Sequence, residues 1–108
     1  MSAYKTVTLT QTGDGELLFT PAVLRWRPDS YPANAQVTVS GLNGGTYSVY
    51  LLLADDDTYR LAFEGVTEAD AVVLGGKDAP LFGAVGLLIS GTSGATVTAR
   101  LTLWERGI

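Results

Sequence analysis

Between Thr6 and Thr12 every even position is threonine, and Val7 and Leu9 stand between them. Successive side chains on an extended strand point to opposite faces, so this two-residue beat separates an apolar face from a hydroxylated one. A helix would scatter the same residues around its circumference. The beat recurs at Val37 and Val39 against Thr38 and Ser40, and at Tyr47, Val49, Leu51 and Leu53 against Thr46 and Ser48. No segment sustains apolar spacing at i, i+3, i+4, i+7 over a helix length. Only residues 65–70 have the composition for a single helical turn.

Turn residues cut the chain into short pieces. Gly13, Asp14 and Gly15 interrupt it first; Pro21, Pro28 and Pro32 follow; then come Asn43-Gly44-Gly45, the run Asp55, Asp56, Asp57, and a loop over residues 75–80. The pieces between them predict strands over residues 6–12, 17–19, 22–27 (a short edge strand), 35–41, 46–54, 59–64, 71–74, 81–90 and 95–105. Residues 42–45 read as a hairpin turn, and residues 66–70 as the connection of a further hairpin. Gly83 and Gly86, inside a strand pattern, predict a bulge or a close backbone approach. The expected fold is all-β: a single domain over residues 1–108, a two-sheet antiparallel β-sandwich of jelly-roll type with eight or nine short strands.

The chain also repeats itself. SGLNGGTYSVYLLL from Ser40 and SGTSGATVTARLTL from Ser90 align at an offset of fifty. Over residues 37–54 and 87–104, six of eighteen positions are identical: Ser40/Ser90, Gly41/Gly91, Gly44/Gly94, Thr46/Thr96, Leu51/Leu101 and Leu53/Leu103. The inward and outward phases agree as well, and a one-residue slip would have exchanged them. Both segments are expected to form the same strand–turn–strand hairpin.

Chemistry is sparse. Among 108 residues there is no histidine and no cysteine, so a Ser–His–Asp triad, thiol catalysis and the usual zinc sites have no residues to build them. The consecutive Asp55, Asp56 and Asp57 lack the alternating ligand spacing of a calcium loop and read as a solvated turn. Asp14 and Glu16, beside two glycines, read as turn residues too. A net charge of −4 and scattered Lys and Arg give nucleic acid no cationic patch. The 46% hydrophobic content supplies a core, no run is long enough to cross a bilayer as a helix, and the first residues do not read as a secretory signal. No cofactor is expected, and the absence of cysteine suits a protein made in a reducing cytoplasm.

Aromatic and cationic side chains are the better candidates for function. Trp26 lies between Arg25 and Arg27 in a proline-bounded segment, Tyr31 follows, and Tyr50, Arg100 and Trp104 fall on outward strand phases. Such residues either cover the ends of a sandwich or anchor a partner, and Trp and Tyr also stack on sugars. Thr6, Thr8, Thr10, Thr96, Thr98 and Thr102 predict a polar sheet face of low side-chain entropy. Charged residues are only 17% of the chain, which leans the reading toward assembly.

The stretch APLFGAVGLLISGTSGATVTARLTLW, residues 79–104, together with the Gly/Thr/Ala-rich, cysteine-free composition, resembles small all-β virion proteins of tailed bacteriophages: capsid decoration (cement) proteins and tail-associated β-sandwich domains. The resemblance implies a non-enzymatic structural protein that binds a major capsid or tail protein, favours a homotrimer, and resides in the virion after synthesis in the host cytoplasm. It transfers no functional residue, and residues 1–3 fall short of the extended arm that would lace subunits together. The alternative expectation is a carbohydrate-binding or adhesin β-sandwich module.

Overall fold

The computed structural model describes residues 4–20, 34–52, 58–75 and 84–104. Eight strands account for most of them: β1 (Tyr4–Thr12), β2 (Gly15–Phe19), β3 (Asn34–Ser40), β4 (Thr46–Leu52), β5 (Tyr59–Val66), β6 (Val72–Leu74), β7 (Val85–Ser90) and β8 (Thr96–Trp104). They form two four-stranded antiparallel sheets, sheet A in the order β1-β8-β3-β6 and sheet B in the order β2-β7-β4-β5. This is the jelly-roll sandwich anticipated from the sequence. The edge strand expected over residues 22–27, Gly83 and the aspartates 55–57 lie outside the described residues. No helix among the described residues is long and apolar enough to cross a membrane.

The alternation sets which side chains meet. Val37, Val39, Val97, Leu101 and Leu103 of sheet A face Phe19, Tyr47, Val49, Val85, Leu87 and Ile89 of sheet B, all buried in one core. Val7 and Leu9 pack against it from the edge strand. Tyr47 is fully buried, and its hydroxyl donates to the Asp70 carbonyl at 3.2 Å. Burial, with the nearby Asp70 charge second, pushes that phenol up to about 12.

Four connections are not the hairpins that their turn residues suggested. Each of the β1–β2, β3–β4, β5–β6 and β7–β8 links leaves one sheet and enters the other. The asparagine-glycine chemistry was read correctly, but the strands it joins do not pair. Leu42 to Gly45 closes with the Gly45 amide donating to the Leu42 carbonyl at 2.9 Å, with φ of 51° at Asn43 and 86° at Gly44. Its counterpart closes from the Ala95 amide to the Thr92 carbonyl at 3.2 Å, with φ of 55° at Ser93 and 82° at Gly94. Both have the positive φ at two central residues that defines a type I′ turn. They bend the chain over the open edge of the core, and Leu42 and Thr92 plug it, each about 1% exposed or less.

The two arches are equivalent, and so are the two halves of the chain. Adding or subtracting four from each strand number turns β1-β8-β3-β6 into β5-β4-β7-β2, which is sheet B read from its far edge. The match is approximate: Ser40 lies opposite Thr98, whereas Ser90 lies opposite Thr46 rather than Ser48. This two-residue slip is even, so every side chain keeps its face.

A carboxylate from the neighbouring connection fastens each arch. Asp14 accepts from the Gly91 amide at 3.1 Å, the Thr92 amide at 2.9 Å and the Thr92 hydroxyl at 2.6 Å. Glu68 accepts from the Leu42 amide at 2.9 Å, the position fifty residues before Thr92. The Thr92 hydroxyl and the two amides hold the Asp14 carboxyl below its ordinary value. In place of the single helical turn expected over residues 65–70, the chain after β5 makes a non-helical turn, closed by the Asp70 amide on the Thr67 carbonyl at 3.1 Å. The bulge expected at Gly86 lies elsewhere. β7 keeps regular register on both sides, and the irregularity is in the β4–β5 pairing, between Tyr47 and Tyr50.

Two measurements test the arches. A Cβ on Gly41 would run into the Thr96 carbonyl, with φ at +80°, whereas one on Gly44 meets nothing within 4 Å. Chemical denaturation of Gly44→Ala should therefore show a loss of about 1–2 kcal/mol from left-handed strain alone, and Gly41→Ala a clearly larger one. Because the Asp14 carboxyl is depressed in the fold, its contribution is present above the unfolded value near 3.8 and lost as pH falls through the lowered one. Thermal unfolding across pH 2–6 should show a shallower acid dependence for Asp14→Asn than for the parent chain.

Candidate functional site

The two outer faces differ, although the halves that build them are equivalent. On sheet A, one row carries Thr8, Arg100 and Thr38; the next carries Thr10, Thr98 and Ser40; a third carries Thr6, Thr102 and Gln36. This is the hydroxylated face expected from the sequence, and Thr6 and Thr102 hydroxyls lie 3.4 Å apart across it. Among the described side chains, the exposed Val73 at its β6 edge is an apolar exception.

Sheet B presents the opposite chemistry. Leu18, Tyr59, Leu61 and Leu88 are between 40% and 47% exposed on its outer face, an unusual share for large apolar side chains. The row through Leu18, Gly86, Tyr50 and Leu61 crosses all four strands. Glu16 and Leu88 occupy the next row, and Tyr59 leans in from beside Leu52. Together they enclose an open groove of about 400 Å³, walled by Leu18, Tyr50, Tyr59 and Leu88, floored by Gly86 and ended by Glu16.

Gly86 makes the groove. It has no positive φ, so backbone conformation does not require glycine there. A Cβ would sit 3.7 Å from Tyr59 Cε1 and 3.9 Å from Leu18 Cδ1 and Tyr50 Cβ, ordinary contact distances. Glycine inside a strand weakens it and marks places where something outside the strand comes close. The tyrosines rise from the β4–β5 side of this bare floor, and Leu18 from the β2 side.

The sequence candidates do not converge on one site. Tyr50 is a wall of the groove, but Arg100, its equivalent in the repeat, stands on the other sheet among threonines. The Trp104 backbone ends β8 opposite Tyr4 and Asn34. Arg25, Trp26, Arg27 and Tyr31 lie outside the described residues. Sequence reasoning missed Leu18, Tyr59, Leu61, Gly86 and Leu88. The available signal was adjacency: Leu17-Leu18 and Leu87-Leu88 are apolar pairs on strands, and one member of each pair must face outward. Among the described residues no group of three carboxylates could hold a metal ion.

The chain matches no protein-family model and no curated protein. Among solved structures it is similar to IMPa from Pseudomonas aeruginosa, determined in complex with an O-glycopeptide. The superposition covers 95% of this chain and 12% of that one, with a TM-score of 0.53 and 16% identity. At that identity the likeness is one of fold, and this chain corresponds to a small part of the other protein's length.

Substitutions on either side of sheet B should separate the core from the groove. Leu87→Ala should cost about 2–5 kcal/mol in denaturant melts. Leu88→Ser, its exposed neighbour, should stay within about 0.5 kcal/mol of the parent.

Proposed function

We propose that this chain is a non-enzymatic structural protein of a tailed-phage particle. In this reading it is a capsid decoration protein that stabilises the lattice by gripping adjacent subunits of the major capsid protein or a tail protein. It would do so as a small homo-oligomer, with a trimer favoured, made in the host cytoplasm and carried in the virion. The observation that carries the reading is the apolar outer face of sheet B, where Leu18, Tyr59, Leu61 and Leu88 remain exposed beside a hydroxylated sheet A. Contiguous apolar surface of this kind on a small β-sandwich marks a docking surface. Binding that occurs only in the assembled state adds its free energy to that state alone, by mass action.

The carboxylate chemistry supports a structural role. A general acid needs a raised carboxyl. The described carboxyl with a displaced acidity, Asp14, is lowered by the arch amides and hydroxyl that it fastens.

One observation favours a second reading, a carbohydrate-binding module: Tyr50 and Tyr59 wall an open groove and could stack on a sugar ring. The fold neighbour IMPa is itself described with an O-glycopeptide, a property of that protein.

Mass spectrometry of density-purified particles of the phage encoding the chain decides between the readings. The decoration role expects a fixed copy number relative to the major capsid protein. Detection in the lysate but not in particles, together with saturable binding on a glycan array, would give the second reading the field.

A further inference from the structure

Resting on the docking role proposed above, the geometry points to the Gly86 groove as the seat of an arginine side chain presented by the partner protein. Three features define the occupant. The floor and one wall, Gly86, Leu18 and Leu88, are apolar and accept a methylene stem. Tyr50 and Tyr59 offer aromatic rings on which a planar cation stacks. Glu16 closes the end with a carboxylate that can take a guanidinium by two parallel hydrogen bonds. Among the described residues no Lys or Arg lines the groove, and the chain as a whole carries −4.

Arginine fits better than the other candidates. Lysine shares the stem and the charge but lacks the flat, stacking head and the paired donors. A leucine or phenylalanine would leave Glu16 without a partner beside an apolar ligand. A second copy docking the same face by a two-fold would bring two Glu16 carboxylates into one interface, and like charges oppose that. Glu16 and Leu18 are two residues apart on β2, so a stem lying over Gly86 places its head at the carboxylate. The bare floor then has a reason: the stem rests where a Cβ would otherwise stand.

The test titrates the ¹⁵N-labelled full chain with N-acetyl-Gly-Arg-Gly-amide, using the Lys and Leu tripeptides and methyl glucoside as comparators. The arginine peptide should move the amide signals of Glu16, Gly86 and Leu88 saturably and bind more tightly than every comparator. Glu16→Gln should weaken it by roughly tenfold, the scale of a lost charge-assisted hydrogen bond. Gly86→Val suits a strand and fills the floor; it should abolish the shifts while leaving the remaining spectrum folded. Equal or tighter binding of the leucine peptide or the glucoside would overturn the assignment. So would arginine binding that both variants leave unchanged, or no shift with any probe. Concentration-dependent shifts of the same signals without peptide would hand the face to a second copy and also overturn it. The particle measurement separates this inference from the role beneath it. Variants that join particles at full copy number remove the groove from docking and leave the decoration role standing. Absence of the parent chain from particles removes that role, whatever the peptide does.

Discussion

The fold depends on two of its four short sheet-to-sheet crossings, the five-residue arches after β3 and β7, which meet at the same end of the molecule. Where the two arches meet, the backbones come too close for a side chain at Gly45. A Cβ on Gly45 would meet the Ser90 carbonyl, and one on Gly91 would lie 3.4 Å from the Gly45 Cα. Because the arches nest there, β3 can pair with β8 while β4 pairs with β7, and these four strands form the centre of both sheets. The outer strands then add at the edges. Asp14 and Glu68 tie the remaining two connections to the arches, so the whole pole is one hydrogen-bonded unit.

Much of this was legible before any coordinates. The alternation at Thr6–Thr12 and over residues 37–40 and 46–52 states which side chains face inward, and the structure follows it position by position. The repeat at an offset of fifty showed that two devices were alike. It could not show that they bridge sheets, because Asn-Gly and Ser-Gly specify the turn's dihedrals and say nothing of the partner for each flanking strand. That choice is made at long range, by a core that Leu42 and Thr92 must close. The roles of Asp14 and Glu68 were hidden for the same reason: each carboxylate acts on amides 26 to 78 residues away.

The groove was less legible. Aromatic and cationic residues drew attention to Tyr50, which walls the groove, and to Arg100, which stands on the other sheet. The more telling letters were the plainest ones: leucines in adjacent pairs and a glycine that no turn required. On a strand, a doubled leucine means that one member lacks a place in the core. Repeat symmetry sharpens the contrast: sheet A answers Gly86, Leu88 and Tyr50 with Gln36, Thr38 and Arg100, and only Leu18 with another apolar residue, Val73. One architecture therefore carries a wettable face and a greasy one.

The strands that open and close the sandwich have a consequence of their own. Tyr4 and Trp104 are ladder neighbours, and paired antiparallel residues stand only about 4.5–5.5 Å apart. A polypeptide entering this module can leave it almost where it came in. Such a unit can be spliced into a surface bend of a larger protein without prying its host apart, projecting like a bead on a short stalk.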